Sequence, residues 1–116
     1  MIVAYARACA ICRLKHPELL DAAHIVPDSK ATGSADVTNG LALCKLHHAA
    51  FDRDLVGITA DYVVRVNREL MREVDGPMLK HGIQDMDGTS LYLPKQRNQQ
   101  PSKEGLSTRF EQFLGG

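Results

Sequence analysis

Strand-length apolar runs interleaved with short helical stretches predict a small α+β domain. Three observations lead there. Two apolar runs, 19–26 (LLDAAHIV) and 40–43 (GLAL), are followed directly by a helical stretch at 44–53. A second pair, LVGIT at 55–59 and YVVRVN at 62–67, flanks Ala60-Asp61 as a β-hairpin, with Val64 and Val66 alternating with Arg65. Two chelating pairs, Cys9-x-x-Cys12 and Cys44-x-x-His47, bracket the first strands and reach the start of the helix.

Residues 1–8 are expected to form a short helix, or the end of one begun in a longer parent protein, CAIC at 9–12 a knuckle, and 13–19 a turn punctuated by Pro17. The first strand stops at Pro27, which has no amide to give a ladder. Residues 28–38 are small and polar and contain Gly33, a surface-loop composition. In the helix at 44–53, Leu43, Leu46, Ala50 and Phe51 make a partial 3.6-residue apolar pattern. After the hairpin, 67–75 has helical composition and ends at Gly76-Pro77. Residues 77–88 read as irregular with one helical turn, LYLP at 91–94 as a last short strand, and 95–105 as a polar loop. A terminal helix over LSTRFEQFL follows, with Ser102 as a candidate N-cap. With no internal repeat, 1–116 is expected to be one domain, a core at 9–58 and an extension at 59–116.

Composition narrows the function classes. Aromatic content is 5% with no Trp, a thin core that a metal staple would supplement. The 14 basic and 14 acidic residues cancel, so the whole molecule carries no polyanion-binding footprint. No apolar run reaches spanning length, and Arg7 interrupts the opening MIVAYARACAI too early for a signal peptide, so no membrane association and a reducing cytoplasm are expected. Three cysteines cannot close a disulfide framework among themselves, but they complete a three-Cys, one-His zinc site at Cys9, Cys12, Cys44 and His47. CxxC alone is shared with thioredoxin-like redox motifs; the second pair at a helix start makes the metal reading specific. His16 is a ligand by type, but sits in an exposed turn. Adjacent residues on a helix diverge by roughly 100°, so His47 and His48 must serve different sites.

These residues carry a resemblance. DAAHIVP at 21–27, Asn39 and CKLHHAAFD at 44–52 resemble the His-Asn-His (HNH) endonucleases of the ββα-metal, or His-Me finger, class. The order matches: His24 on the first strand, Asn39 before the second, His48 early in the helix. The later DGPMLKHGIQ, LYLP and FEQF are similar to the tails of bacterial members. Similar modules sit at the C-terminus of modification-dependent restriction enzymes. The resemblance implies a small zinc-stapled ββα-metal domain with an additional β-hairpin and terminal helix. It implies a metal-dependent DNA endonuclease of bacterial or phage-like cytoplasm, leaving 5′-phosphate and 3′-hydroxyl ends. Catalysis would use Mg²⁺ or Mn²⁺, with His24 as general base, His48 as metal ligand and Asn39 pinning the loop that orients the base. Neutral net charge suggests that target choice comes from a specificity domain in a longer parent chain, and a homodimer fits equally.

The chemistry supports these roles independently. Phosphodiester hydrolysis needs an activated water, charge stabilisation on the phosphate and help for the leaving oxygen. Imidazole suits the first task and a cation the others, whereas Asn has no useful pKa and is suited to bracing. Many relatives carry a metal ligand immediately before the base, where this chain has Ala23. Asp21 is the nearest acid, yet strict alternation puts it on the face opposite His24, so that it helps only through a twist or bulge. Asp52, four residues after His48, offers a ligand or an ion pair; Asp54 is also near, and Arg53 offers a phosphate contact or a partner for Asp52. His81 is read as surface or packing without a partner. Lys95, Arg97, Lys103 and Arg109 form a late basic cluster, and Arg65, Arg68 and Arg72 a solvated charged face; either could meet DNA backbone. The main alternative is a non-catalytic zinc-knuckle module binding nucleic acid or protein, which leaves the spacing of His24, Asn39 and His48 unexplained.

Overall fold

The computed structural model describes residues 2–26 and 37–115. Strands β1 (Leu20–His24) and β2 (Gly40–Cys44) pair antiparallel from Leu20 opposite Cys44 to His24 opposite Gly40, without a bulge. All five residues of β2 are buried, as a short apolar run bounded by polar segments requires when both faces are covered. Most of the expected loop at 28–38 lies outside the described residues; its end forms a 3-10 turn, Val37–Asn39.

Helix α1 (Lys45–Asp52) follows β2 directly, and the Cys44 sulfur accepts a weak bond from the His47 amide as its N-cap. It buries His47, Ala50 and Phe51. Leu46, expected on that face, is 36% exposed. Because His47 takes the inward direction, its neighbour Leu46 turns to the flank beside Gly82, where an added Cβ would lie 3.4 Å from Leu46 Cδ2. The helix ends in a Schellman motif: Leu55 N bonds Ala50 O at 2.9 Å and Asp54 N bonds Phe51 O at 3.2 Å. Asp54 takes the left-handed position, φ 58°.

The hairpin is as expected, with β3 (Val56–Ile58) antiparallel to β4 (Val64–Val66). Thr59 Oγ1 closes its turn by accepting from the amides of Asp61 and Val63, both at 3.2 Å. Asn67 caps α2 (Arg68–Arg72), which is shorter than the expected 67–75. It stops early because Gln84 Nε2 takes the carbonyls of Leu70 and Glu73, both at 2.9 Å, and Glu73 is already extended. The stretch read as irregular with one helical turn is more ordered: a π-helical turn, Met78–Ile83, runs into a 3-10 turn, Gln84–Met86.

LYLP is not a strand. Successive amides go to different elements, Leu91 N to Tyr62 O and Tyr92 N to Ala10 O, both at 2.8 Å, so the segment straps the hairpin to the N-terminal knuckle. The terminal helix α3 (Lys103–Gly115) begins before the expected Leu106, and Ser102 Oγ does cap it, accepting from Gly105 N at 3.1 Å. Its inward positions are Leu106, Arg109 and Phe113. Phe113 lies against Gly57 of β3, where a Cβ would come within 2.6 Å of the ring. At the other end of the chain, a 3-10 turn (Val3–Tyr5) replaces the expected short helix, and the buried Tyr5 hydroxyl donates to Gly40 O at 3.2 Å. Among the described residues no helix is long and apolar enough to cross a membrane.

Candidate metal centre and active site

Cys9 and Cys12 come from the knuckle, Cys44 from the end of β2 and His47 from the first turns of α1. Ala10 N bonds Ala42 O at 2.7 Å and so fixes the knuckle against β2. The four ligand atoms lie within 4.8 Å of one another. The Cys12 and Cys44 sulfurs are 4.0 Å apart, and His47 Nδ1 is 3.7 Å from Cys9 Sγ and 3.3 Å from Cys44 Sγ. Tetrahedral zinc with bonds of about 2.1 Å to nitrogen and about 2.3 Å to sulfur has edges of roughly 3.5–3.8 Å, so the donors fit such an ion. His47 Nε2 donates to the Gly82 carbonyl at 2.6 Å, which leaves the Nδ1 lone pair toward the sulfurs. Burial lowers the His47 pKa, but bonds to Cys44, Cys9 and Gly82 outweigh it and push it up to about 10. Bonding to Cys12 and Cys44 pulls the Cys9 thiol down, while the same contacts push Cys12 up. So close a convergence of three sulfurs and an imidazole nitrogen favours a shared cation. His16 stays outside, exposed and 3.4 Å from Glu18.

A second group surrounds His48. Asp21 Oδ2 lies 2.8 Å from His48 Nδ1, and Asp52 Oδ2 lies 3.2 Å from His48 Nε2. Asp21 Oδ1 is held by Lys45 Nζ at 2.5 Å. Hydrogen bonds from His48 and then Lys45 keep the Asp21 carboxyl below the usual carboxylate range. Asp21 reaches His48 with the β1–β2 register intact. No twist or bulge is needed, because two-residue alternation puts Asp21 on the face of Ala23, not that of His24. Asp21 thus stands two residues before Ala23 on the same face of β1.

The donor count at His48 is informative. A neutral imidazole has one N–H, and a carboxylate only accepts. With Asp52 taking a proton from Nε2, Nδ1 meets the Asp21 carboxylate either as the second N–H of an imidazolium or as a lone pair sharing a cation with it. Two cis ligands of an octahedral ion at about 2.1 Å are roughly 3 Å apart, so the Asp21–His48 pair fits a divalent ion.

His24 is exposed at the end of β1, opposite Gly40. Asn39 is buried, 7% exposed, and pairs with the backbone just beyond it: Oδ1 accepts from Val26 N at 3.0 Å and Nδ2 donates to Val26 O at 2.8 Å. Ile25 N adds a bond to Asn39 O at 2.9 Å. The residues following His24 are therefore clamped by Asn39.

Other expectations change. Arg109 is no surface cation: 9% exposed, it bonds Asp54 at 2.5 Å and Phe51 O at 2.6 Å, capping the negative end of α1. His81 has a partner, Asp85, at 2.9 Å. Arg53 reaches back to Ala49 O at 3.4 Å, and Lys103 lies 5.4 Å from the centre of the Tyr62 ring. Sequence reasoning missed Lys45. Its signal was available: a cation at the first position of a helix opposes the macrodipole, so a local anion should accompany it.

The HNH endonuclease family model matches residues 9–59, a segment holding all three cysteines, Asp21, His24, Asn39, His47 and His48. Over that segment the chain is similar to the HNH endonucleases. Among solved structures it is similar to a modification-dependent restriction endonuclease, TagI, at 19% identity and a TM-score of 0.60. The match covers 96% of this chain but 35% of that one, and at this identity it speaks for the fold. A search of curated proteins gave no match.

Proposed function

We propose that this chain is the catalytic module of a restriction-type, metal-dependent DNA endonuclease. The observation that carries the reading is the Asp21–His48 pair at 2.8 Å, on the Ala23 face of β1. It restores the ligand pair that Ala23 alone would leave incomplete. Cys9, Cys12, Cys44 and His47 would hold a structural Zn²⁺, and Asp21 and His48 a catalytic Mg²⁺ or Mn²⁺. Bound there, the divalent ion supplies charge stabilisation to the phosphate and the leaving oxygen.

His24 takes the proton of the attacking water as general base. Asn39 acts one step removed, fixing Val26 and hence the backbone on which His24 stands. Asp52 holds His48 by its Nε2 proton, orienting Nδ1 toward Asp21. Water's oxygen bonds to phosphorus as the P–O3′ bond breaks, and the departing 3′-oxygen takes up a proton from solvent, leaving 5′-phosphate and 3′-hydroxyl ends. The extension 59–116 belongs to the same unit, tied to α1 through Arg109 and Gly82. With a net charge of +0, target choice falls to a specificity domain in a longer chain, or to a dimer, acting in the cytoplasm.

Supercoiled plasmid with Mn²⁺ tests the reading. Wild-type protein should nick or linearise it, and His24→Ala should be slower by about 10²-fold or more. Equal rates in both, or no cleavage at any protein or metal concentration, would sink it.

A further inference from the structure

Lys45 occupies an unfavourable place for a cation. It opens α1, whose first turn holds no acidic residue, and its ammonium sits at the positive end of the helix dipole. What retains it is Asp21 Oδ1, at 2.5 Å. The other oxygen of the same carboxylate faces His48 Nδ1 at 2.8 Å. Lys45 and a divalent ion at the Asp21–His48 pair would therefore draw on one carboxylate while repelling each other. The Lys45 side chain is 58% exposed, which leaves it room to swing off the strand.

Resting on the nuclease reading above, we propose that Lys45 is the resident counter-cation of the catalytic centre. It competes with the divalent ion for Asp21 and, once displaced, binds a phosphate of the DNA. The carboxylate is then handed from ammonium to metal as the ammonium is handed to the substrate. Metal and DNA loading would reinforce each other, because each removes the partner that holds the other's site closed.

Two measurements on the zinc-loaded protein test this. The first is a Mn²⁺ titration of the DNA-free protein, followed by calorimetry or by the Mn²⁺ electron-spin signal. Lys45→Gln should tighten Mn²⁺ binding about three- to fivefold, the order expected for losing a surface ion pair, and Lys45→Arg should stay close to wild type. The second is DNA affinity in the Mn²⁺-loaded His24→Ala background, which binds without cutting. There Lys45→Gln should weaken binding and lower the salt slope by about one, as for one lost phosphate contact. Weaker or unchanged Mn²⁺ binding in Lys45→Gln would overturn the proposal, weaker binding marking Lys45 as a brace for Asp21. Tighter Mn²⁺ binding with unaltered DNA affinity would overturn it as well. Asp21→Asn, which should abolish the Mn²⁺ isotherm, separates the two readings. If wild type shows no isotherm of this kind the metal reading falls too; if only Lys45→Gln behaves like wild type, that reading stands and this inference alone is lost.

Discussion

Asn39 commits both ends of its amide to one residue, the Val26 N–H and the Val26 carbonyl, inside a pocket that leaves it 7% exposed. Asn39→Asp keeps the acceptor but sets a carboxylate oxygen against the Val26 carbonyl. An unmet buried polar contact of this kind costs about 1–3 kcal/mol. Urea unfolding should show that loss, and plasmid cleavage should fall with it; a variant of wild-type stability would mean the clamp carries little. The bracing role of Asn39 was legible because an amide between two candidate imidazoles has no proton chemistry to offer. The reach of Asp21 was misjudged for a specific reason. It was tested against the face of His24, whereas the relevant face is that of Ala23, and period two puts Asp21 there. Arg109 was misread because charge was counted without helical phase: it lies three residues after Leu106 and four before Phe113, on the buried face of α3.

At the scale of elements, α3 is joined to the hairpin through a close approach that only glycine allows. A Cβ on Gly57 would lie 2.6 Å from Phe113 Cγ and 2.7 Å from Cδ2. Gly57→Ala must push the helix or rotate the ring, and overpacking of this size costs about 1–3 kcal/mol. Thermal melts of Gly57→Ala, Phe113→Leu and the double variant check it: the double should be clearly more stable than the sum of the two losses predicts. Additive losses would mean that Gly57 and Phe113 do not press on each other. The ββα unit and the hairpin were readable because their apolar runs are of strand length and each element packs on the one that comes next in the chain. LYLP was not, because Leu91 and Leu93 alternate as in a strand while its amides are claimed by Tyr62 and Ala10. No local pattern encodes a strap whose partners lie far away along the chain.

For the whole molecule, the question is what joins pieces that are individually weak. Among the described residues, each of the two sheets has two strands, and a two-stranded sheet alone is marginal in water. The Cys9–Cys12–Cys44–His47 cluster links the knuckle to the end of β2 and the start of α1, and His47 Nε2 extends the link to the π-helical turn at Gly82. None of the three cysteines is in a disulfide, so no covalent cross-link backs up this junction. Metal binding free energy at such a site is folding free energy. Stripping the ion with a strong chelator, verified by metal analysis, should lower the melting temperature by on the order of 10 °C or more and broaden the transition; added Zn²⁺ should restore it. Mg²⁺ should not substitute, since it takes oxygen ligands and the cluster offers sulfur and nitrogen. Acid should act in the chelator's direction, because thiolate ligands must be deprotonated to bind metal, so affinity falls as pH falls. An unchanged sharp melt after verified removal would place the stability in the apolar core around Leu41, Leu43, Phe51 and Ile58. The cluster would then be a passenger on that core, and the early placement of paired ligands would have no thermodynamic consequence for the fold.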